Sequence, residues 1–166
     1  MPNWCENFVT FSHADSKKVD ELEQAAIKGE VLQYLHPMPE ELEGTTAPSE
    51  GLNWYGWCTS NWGTKWDFGP DDVSVIDRDV GIAGEAYISF PFYSAWSPPI
   101  GAYEHAVENG WEVTATYVEP AMDFIGEFVD GEDNCYSLDE APEGLKSDYS
   151  WVYEDIAEWE RENAEA

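Results

Sequence analysis

Residues 85–120 read EAYISFPFYSAWSPPIGAYEHAVENGWEVTATYVEP, and turn signals divide them into three elements. EAYISFPFYSAW is a β-rich run in which Pro91 marks a sheet edge or a bulge. Ser97-Pro98-Pro99 is a helix start: a hydroxyl N-cap, then a residue whose missing N–H has no partner in a first turn anyway. Ile100, Tyr103, Ala106 and Val107 form the apolar face of that helix, and Asn109-Gly110 ends it. WEVTATYVEP then reads as a strand, continued irregularly through AMDFIGEFVDGEDNCYSL, which has room for one more hairpin strand.

Upstream, a similar unit precedes this one. WCENFVTFS (4–12) reads as a mostly buried first strand carrying Phe8 and Phe11. After a turn at HADS, Asp15 is the N-cap of an amphipathic helix. Val19, Leu22 and Ala26 line its inner side, Lys17, Lys18, Asp20, Glu21 and Glu23 face away, and Gly29 stops it. DVSVIDRDV (72–80) reads as a half-exposed strand that pairs with 85–96 as a hairpin. The order is therefore β, α, insertion, β, β, α, β. That is the split β-α-β pattern of an α+β, ferredoxin-like sandwich, an antiparallel sheet with helices on one face.

Two segments fall outside this pattern. Residues 36–70 are rich in Pro, Gly, Ser, Thr and Trp, and four tryptophans in so long a connection predict an ordered insertion lying over the hydrophobic surface. PEEL within it suits a short helical turn. Residues 129–166 form an acidic C-terminal extension to a 1–128 domain, with a helix over about 150–164 whose Val152, Ile156 and Trp159 share a side.

Charge dominates the composition: 35 acidic against 7 basic residues, a formal net charge of -28. With 43% hydrophobic and 15% aromatic residues, that charge belongs to a folded surface and not to a disordered tail. Self-repulsion on this scale opposes folding, so the charge is expected to have a use: solubility, a basic partner, metal binding or a salty medium. Direct binding of nucleic acid is disfavoured; a protein whose basic groove normally holds nucleic acid is the matching partner. Residues 127–166 hold 14 of the 35 acids against Lys146 and Arg161 alone, so the charge is heaviest at the C-terminal end.

Cys5, Cys58 and Cys135 are odd in number and widely spaced, which fits neither a disulfide framework nor a structural zinc site and suits the reducing cytoplasm. PNWCENFVTF lacks the basic and apolar regions of a secretion signal, and no run approaches the ~18 apolar residues of a membrane span.

MPNWCEN, HPMPEEL, NWGTKWD and FYSAWSPPIGAYEHAVENGW together resemble a family of phage- and plasmid-borne proteins related to the plasmid protein YubB. The resemblance covers roughly residues 1–128, and its sharpest motifs are the Trp-based NWGTKWD and AWSPP. It implies a ferredoxin-like domain, a mobile-element origin and, for a phage protein, the host cytoplasm. No activity comes with it, and the acidic extension lies outside it.

Two candidate sites follow. In the first, Glu154, Asp155, Glu158, Glu160 and Glu162 stand in for phosphates, with Trp159 or Tyr153 as an exposed hydrophobic anchor on a host protein. The second is NWGTKWD (61–67). Asn61, Trp62, Lys65, Trp66 and Asp67 with Trp96 would surround a planar or anionic ligand that Lys65 contacts, the centre of a small-ligand-binding or enzymatic domain whose charge serves solubility only. The structural alternative has Trp62 and Trp66 closing the open edge of the sandwich while Gly63 takes a backbone shape only glycine tolerates.

Catalytic, metal and cofactor sites are not expected. His13, His36 and His105 are scattered and none sits in a nucleophile arrangement with a Cys or Ser. DGEDN (130–134) lacks the spacing and terminal Glu of a calcium loop. Pro2, freed of Met1, would carry a secondary amine that is a possible base.

Overall fold

The computed structural model describes residues 3–45, 52–73 and 76–164, so Pro2 lies outside the described residues. Strands β1 (Trp4–His13), β2 (Asp77–Val80), β3 (Ala86–Ala95), β4 (Glu112–Glu119), β5 (Phe124–Val129) and β6 (Glu132–Tyr136) form one sheet in the order β2-β3-β1-β4-β5-β6. Every pairing is antiparallel. The first four strands, with α1 (Ser16–Lys28) crossing from β1 to β2 and α4 (Ile100–Glu108) from β3 to β4, are the ferredoxin-like arrangement.

α1 forms as its residues dictate. The Asp15 carboxylate accepts from the Lys17 N–H at its start, and Gly29 leaves the helix at φ 76°. Between them Val19, Leu22 and Ala26 are buried. They meet Val9 and Phe11 of β1, Ile88, Phe90 and Phe92 of β3, and Ala102 and Tyr103 of α4 in the main core. Phe11 lies at its centre, its ring 5.9–6.1 Å from those of Tyr103, Trp111 and Phe90. A fully buried aromatic of this kind contributes roughly 1.5–3 kcal/mol.

Several details differ from the sequence expectation, each for a local reason. Ser97 does not cap α4; its hydroxyl donates to the Gly63 carbonyl, and Pro99 stands at the cap position without a side-chain bond. Phe8 is 45% exposed, because the alternation of β1 turns it with Trp4 and Glu6 to the back of the sheet. β2 covers only Asp77–Val80 of the expected 72–80, and Ser74 and Val75 fall outside the described residues. Pro91 does lie at a local edge, opposite Phe8 and past Ser89, where the pairing of β3 with β2 ends.

The C-terminal part joins the sheet. β5 and β6 are a hairpin turned by Asp130 and Gly131, both at positive φ (52° and 79°), the two-residue turn favoured by Asp-Gly. A boundary at 128/129 therefore falls inside β5. Tyr117 lies across Gly126, where any Cβ would overlap its ring, and its hydroxyl donates to Asp133 of β6 at 2.5 Å. Helices α5 (Glu143–Asp148) and α6 (Ser150–Ala164) then cover the back of β4 and β5. Leu145, Tyr149 and Val152 pack there on Val118 and Ile125 in a second, smaller core. The ferredoxin-like helices thus share one face, and the extension occupies the other.

Candidate partner-binding surface

α6 is amphipathic only over its first half. Val152 is buried, Ile156 is half-buried, and Tyr153 donates its hydroxyl to the Leu138 carbonyl at 2.8 Å, so Tyr153 is a tie to the body and not a free anchor. Lys146 lies 5.7 Å above the Tyr153 ring and reinforces that tie. From Ala157 to Ala164 every residue is exposed. Glu154, Asp155, Glu158, Glu160 and Glu162 all face solvent, and Trp159 is 64% exposed. Glu154, Glu158 and Glu162 recur at every fourth position, which sets successive carboxylates about 6 Å apart along the axis. Like charges at this spacing oppose helix formation by about 0.2–0.5 kcal/mol per pair.

NWGTKWD divides between inside and outside. It begins on the last residue of α3 (Trp54–Asn61), downstream of α2 (Val31–Leu35), and it docks α3 on the start of α4. Trp62 is buried in the main core with its Nε1–H donated to the His36 carbonyl at 2.7 Å. Its own carbonyl accepts from Ala102, one of the first-turn N–H groups of α4 that have no partner within the helix. Gly63 has φ 85° and lies against the backbone of Ile100 and Gly101. Thr64 donates to the Ala95 carbonyl, and the Asn61 amide donates back to the Trp57 carbonyl.

Asp67 also faces inward. Its carboxylate accepts from the backbone N–H groups of Leu32 and Gln33, at 3.1 and 2.9 Å, and so caps α2 from a distant part of the chain. Burial pushes its pKa up to about 7, against those donors, which favour the charged form, and with the help of nearby Glu30. Lys65, Trp66 and Trp96 are on the outside. The Lys65 ammonium sits 4.3 Å from the Trp66 ring and 5.0 Å from that of Trp96, which is held at φ 69°. Of the six residues grouped by sequence, Asn61, Trp62 and Asp67 serve the fold, and Lys65 fills the space between the two exposed indoles.

Sequence reasoning missed two features. His36 and His105 stack in parallel, their ring centres 3.7 Å apart, and burial together with this neighbour lowers the His36 pKa. The back of β1 and β3 exposes Trp4, Phe8 and Tyr93. The apolar residues at both phases of WCENFVTF carry that signal, since a strand with one wet face would alternate.

Among the described residues no group of three or more His, Cys, Asp or Glu is placed to hold a metal ion. No described helix is long and apolar enough to cross a membrane.

No protein-family model matches the chain, and no curated protein resembles it in sequence. Among solved structures it is similar to a protein api92 from Yersinia pseudotuberculosis, family-model DUF1281. The two are 10% identical with a TM-score of 0.45, over 86% of this chain and 100% of that one. That is too loose a likeness to carry a residue or an activity across.

Proposed function

We propose that this chain is an acidic interaction protein of a mobile element, phage-borne or plasmid-borne, acting in the host cytoplasm. It occupies the basic nucleic-acid-binding surface of a host DNA-handling or defence protein and inhibits it by standing in for nucleic acid. The observation that carries this reading is the free second half of α6, all of it exposed and bearing Glu158, Glu160 and Glu162 beyond the body of the protein. A spacing of about 6 Å between carboxylates approaches that of alternate phosphates on one DNA strand, about 3.4 Å apiece along the axis. A helix that accepts like-charge repulsion in its own row suits a partner that neutralises it. The YubB-like resemblance of residues 1–128 supports the mobile-element origin, and the net charge of -28 supplies fast, salt-sensitive encounter with a basic partner.

The test is capture from host lysate by the immobilised full-length protein beside a Glu154→Gln, Glu158→Gln, Glu162→Gln variant. A nucleic-acid-binding protein held by the wild type, released by rising salt, displaced by duplex DNA and weakened in the variant is the expected result. Capture that duplex DNA does not disturb, or that the variant retains in full, defeats the reading.

A further inference from the structure

The first turns of α6 pack on the back of the sheet, and Trp151 lines two hollows there. One, of about 480 Å³, is lined by Glu6, Phe8, Pro91, Asp148 and Trp151 among others. The other, of about 320 Å³, lies between Trp151, Ile156, Trp159, Pro120 and Asp155 and is almost wholly apolar. Trp151 belongs to both, so the two hollows adjoin at that residue and are taken together as one track, with Phe8 at one end and Trp159 at the other.

Two properties set this track apart from an ordinary wet sheet face. First, it is aromatic: Phe8, Trp151 and Trp159 are 45%, 42% and 64% exposed, and large apolar side chains grouped on a surface mark a contact site. Second, its charge has one sign. Glu6 and Asp148 line the first hollow and Asp155 the second, no lysine or arginine lines either, and neither Glu6 nor Asp148 has an ion-pair partner among the described residues. In register, Glu6 lies opposite Tyr93 of β3, with Trp4 and Phe8 two residues to either side on the same face. The Glu6 carboxylate is therefore set among aromatic side chains, and its partial burial raises its pKa.

Carboxylates beside aromatic faces are the environment that a guanidinium fits best. It stacks on a ring while its planar donors pair with a carboxylate, which a lysine ammonium does less well. We propose that this track receives an amphipathic, arginine-bearing segment of the partner protein. A guanidinium lies against Phe8 and Trp151 between Glu6 and Asp148, and an apolar side chain fills the hollow between Trp151 and Trp159. This deepens the reading of the chain as a binder of a basic protein. The helix carboxylates supply long-range attraction, and the track supplies short-range contacts that salt weakens less steeply.

The experiment uses the full-length protein and three labelled peptides of equal length and charge: arginine–leucine amphipathic, lysine–leucine amphipathic, and arginine–serine. Fluorescence anisotropy is read at about 0.15 M salt, where exposed charges are largely screened beyond about 8 Å. The arginine–leucine peptide is expected to bind best, and Glu6→Gln and Trp151→Ala each to weaken it by about tenfold, roughly the strength of one desolvated cation–π or ion-pair contact. Both substitutions are at solvent-accessible side chains, and an unchanged cooperative melt shows that the variants fold. Equal binding of the arginine–serine peptide, or no loss in either variant, overturns the proposal. So does sedimentation showing that the wild type self-associates through Trp151, because the occupant is then a second copy. Capture from lysate does not enter this measurement, so the track and the nucleic-acid stand-in can fail separately.

Discussion

Replacing Asp67 by asparagine tests the inward role of the NWGTKWD segment. Burial pushes the carboxyl up to about 7 in the fold, from an ordinary 3.8. Between those values the folded chain keeps a proton that the unfolded chain has released. The contribution of Asp67 to stability is therefore fully present below 3.8, is lost as pH rises toward 7, and is level above that. From about pH 5 to about pH 7 the loss is a little under two units at about 1.4 kcal/mol each, or about 2 kcal/mol. Asparagine does not titrate, so the stability of the wild type relative to Asp67→Asn should fall by that amount across the window. The response of the other carboxylates is common to both chains and cancels in the difference. Urea denaturation followed by tryptophan fluorescence, repeated across the pH range, gives both curves. If the two run parallel, the carboxyl titrates in the fold as it does in water, and the reasoning from burial is refuted.

Other expectations concern packing and access. A Cβ at Gly101 would overlap the Asn61 carbonyl, backbone against backbone, so Gly101→Ala should lose about 1–3 kcal/mol in urea denaturation. Gly144, in α5, has nothing within reach of an added Cβ, and Gly144→Ala should gain up to about 1 kcal/mol in the same assay. A chain ending at Leu138 lacks Ala141, Leu145, Tyr149 and Val152, which cover Val118 and Ile125. It should lose roughly 5 kcal/mol or more and bind a hydrophobic dye, whereas a melt like that of the full chain would contradict the second core. Of the three free thiols only Cys135 is exposed, while burial raises the pKa of Cys5 strongly and that of Cys58 to about 11. An aromatic disulfide reagent should therefore titrate one thiol in the native protein and two more only after denaturation.

The elements that could be read in advance were those whose signals are local. Asp15 and Gly29 bound α1 because capping involves neighbours in the chain, and Asn109-Gly110 ended α4 for the same reason. The order of strands and helices was then enough for the ferredoxin-like arrangement. What escaped depends on contacts between distant residues. Ser97 looks like a cap by its spacing, but Gly63 is brought within its reach by a segment more than thirty residues earlier. Asp67 looks like a ligand group, yet the N–H groups it satisfies belong to Leu32 and Gln33. The side of the sheet taken by the acidic extension was not legible either, since Val152 and Ile156 show that α6 has an inner face without showing which strands lie under it. For the candidate site, the exposed carboxylates and Trp159 were legible from helical spacing, whereas Glu6, Phe8 and Asp148 meet Trp151 only once β1 and α6 are in place.

The two outermost strands have a consequence for how any partner approaches. β2 reads Asp-Arg-Asp-Val and β6 reads Glu-Asp-Asn-Cys-Tyr, so both rims of the sheet carry carboxylates along their unpaired backbone. Charged rims discourage another chain from adding itself as a further strand, whether a stray copy or an extended peptide. Strand addition is thereby disfavoured at both rims. A partner of the kind proposed would then meet side chains on the broad surfaces, and the same charged rims oppose edge-to-edge stacking of a molecule with exposed tryptophans at Trp4, Trp151 and Trp159.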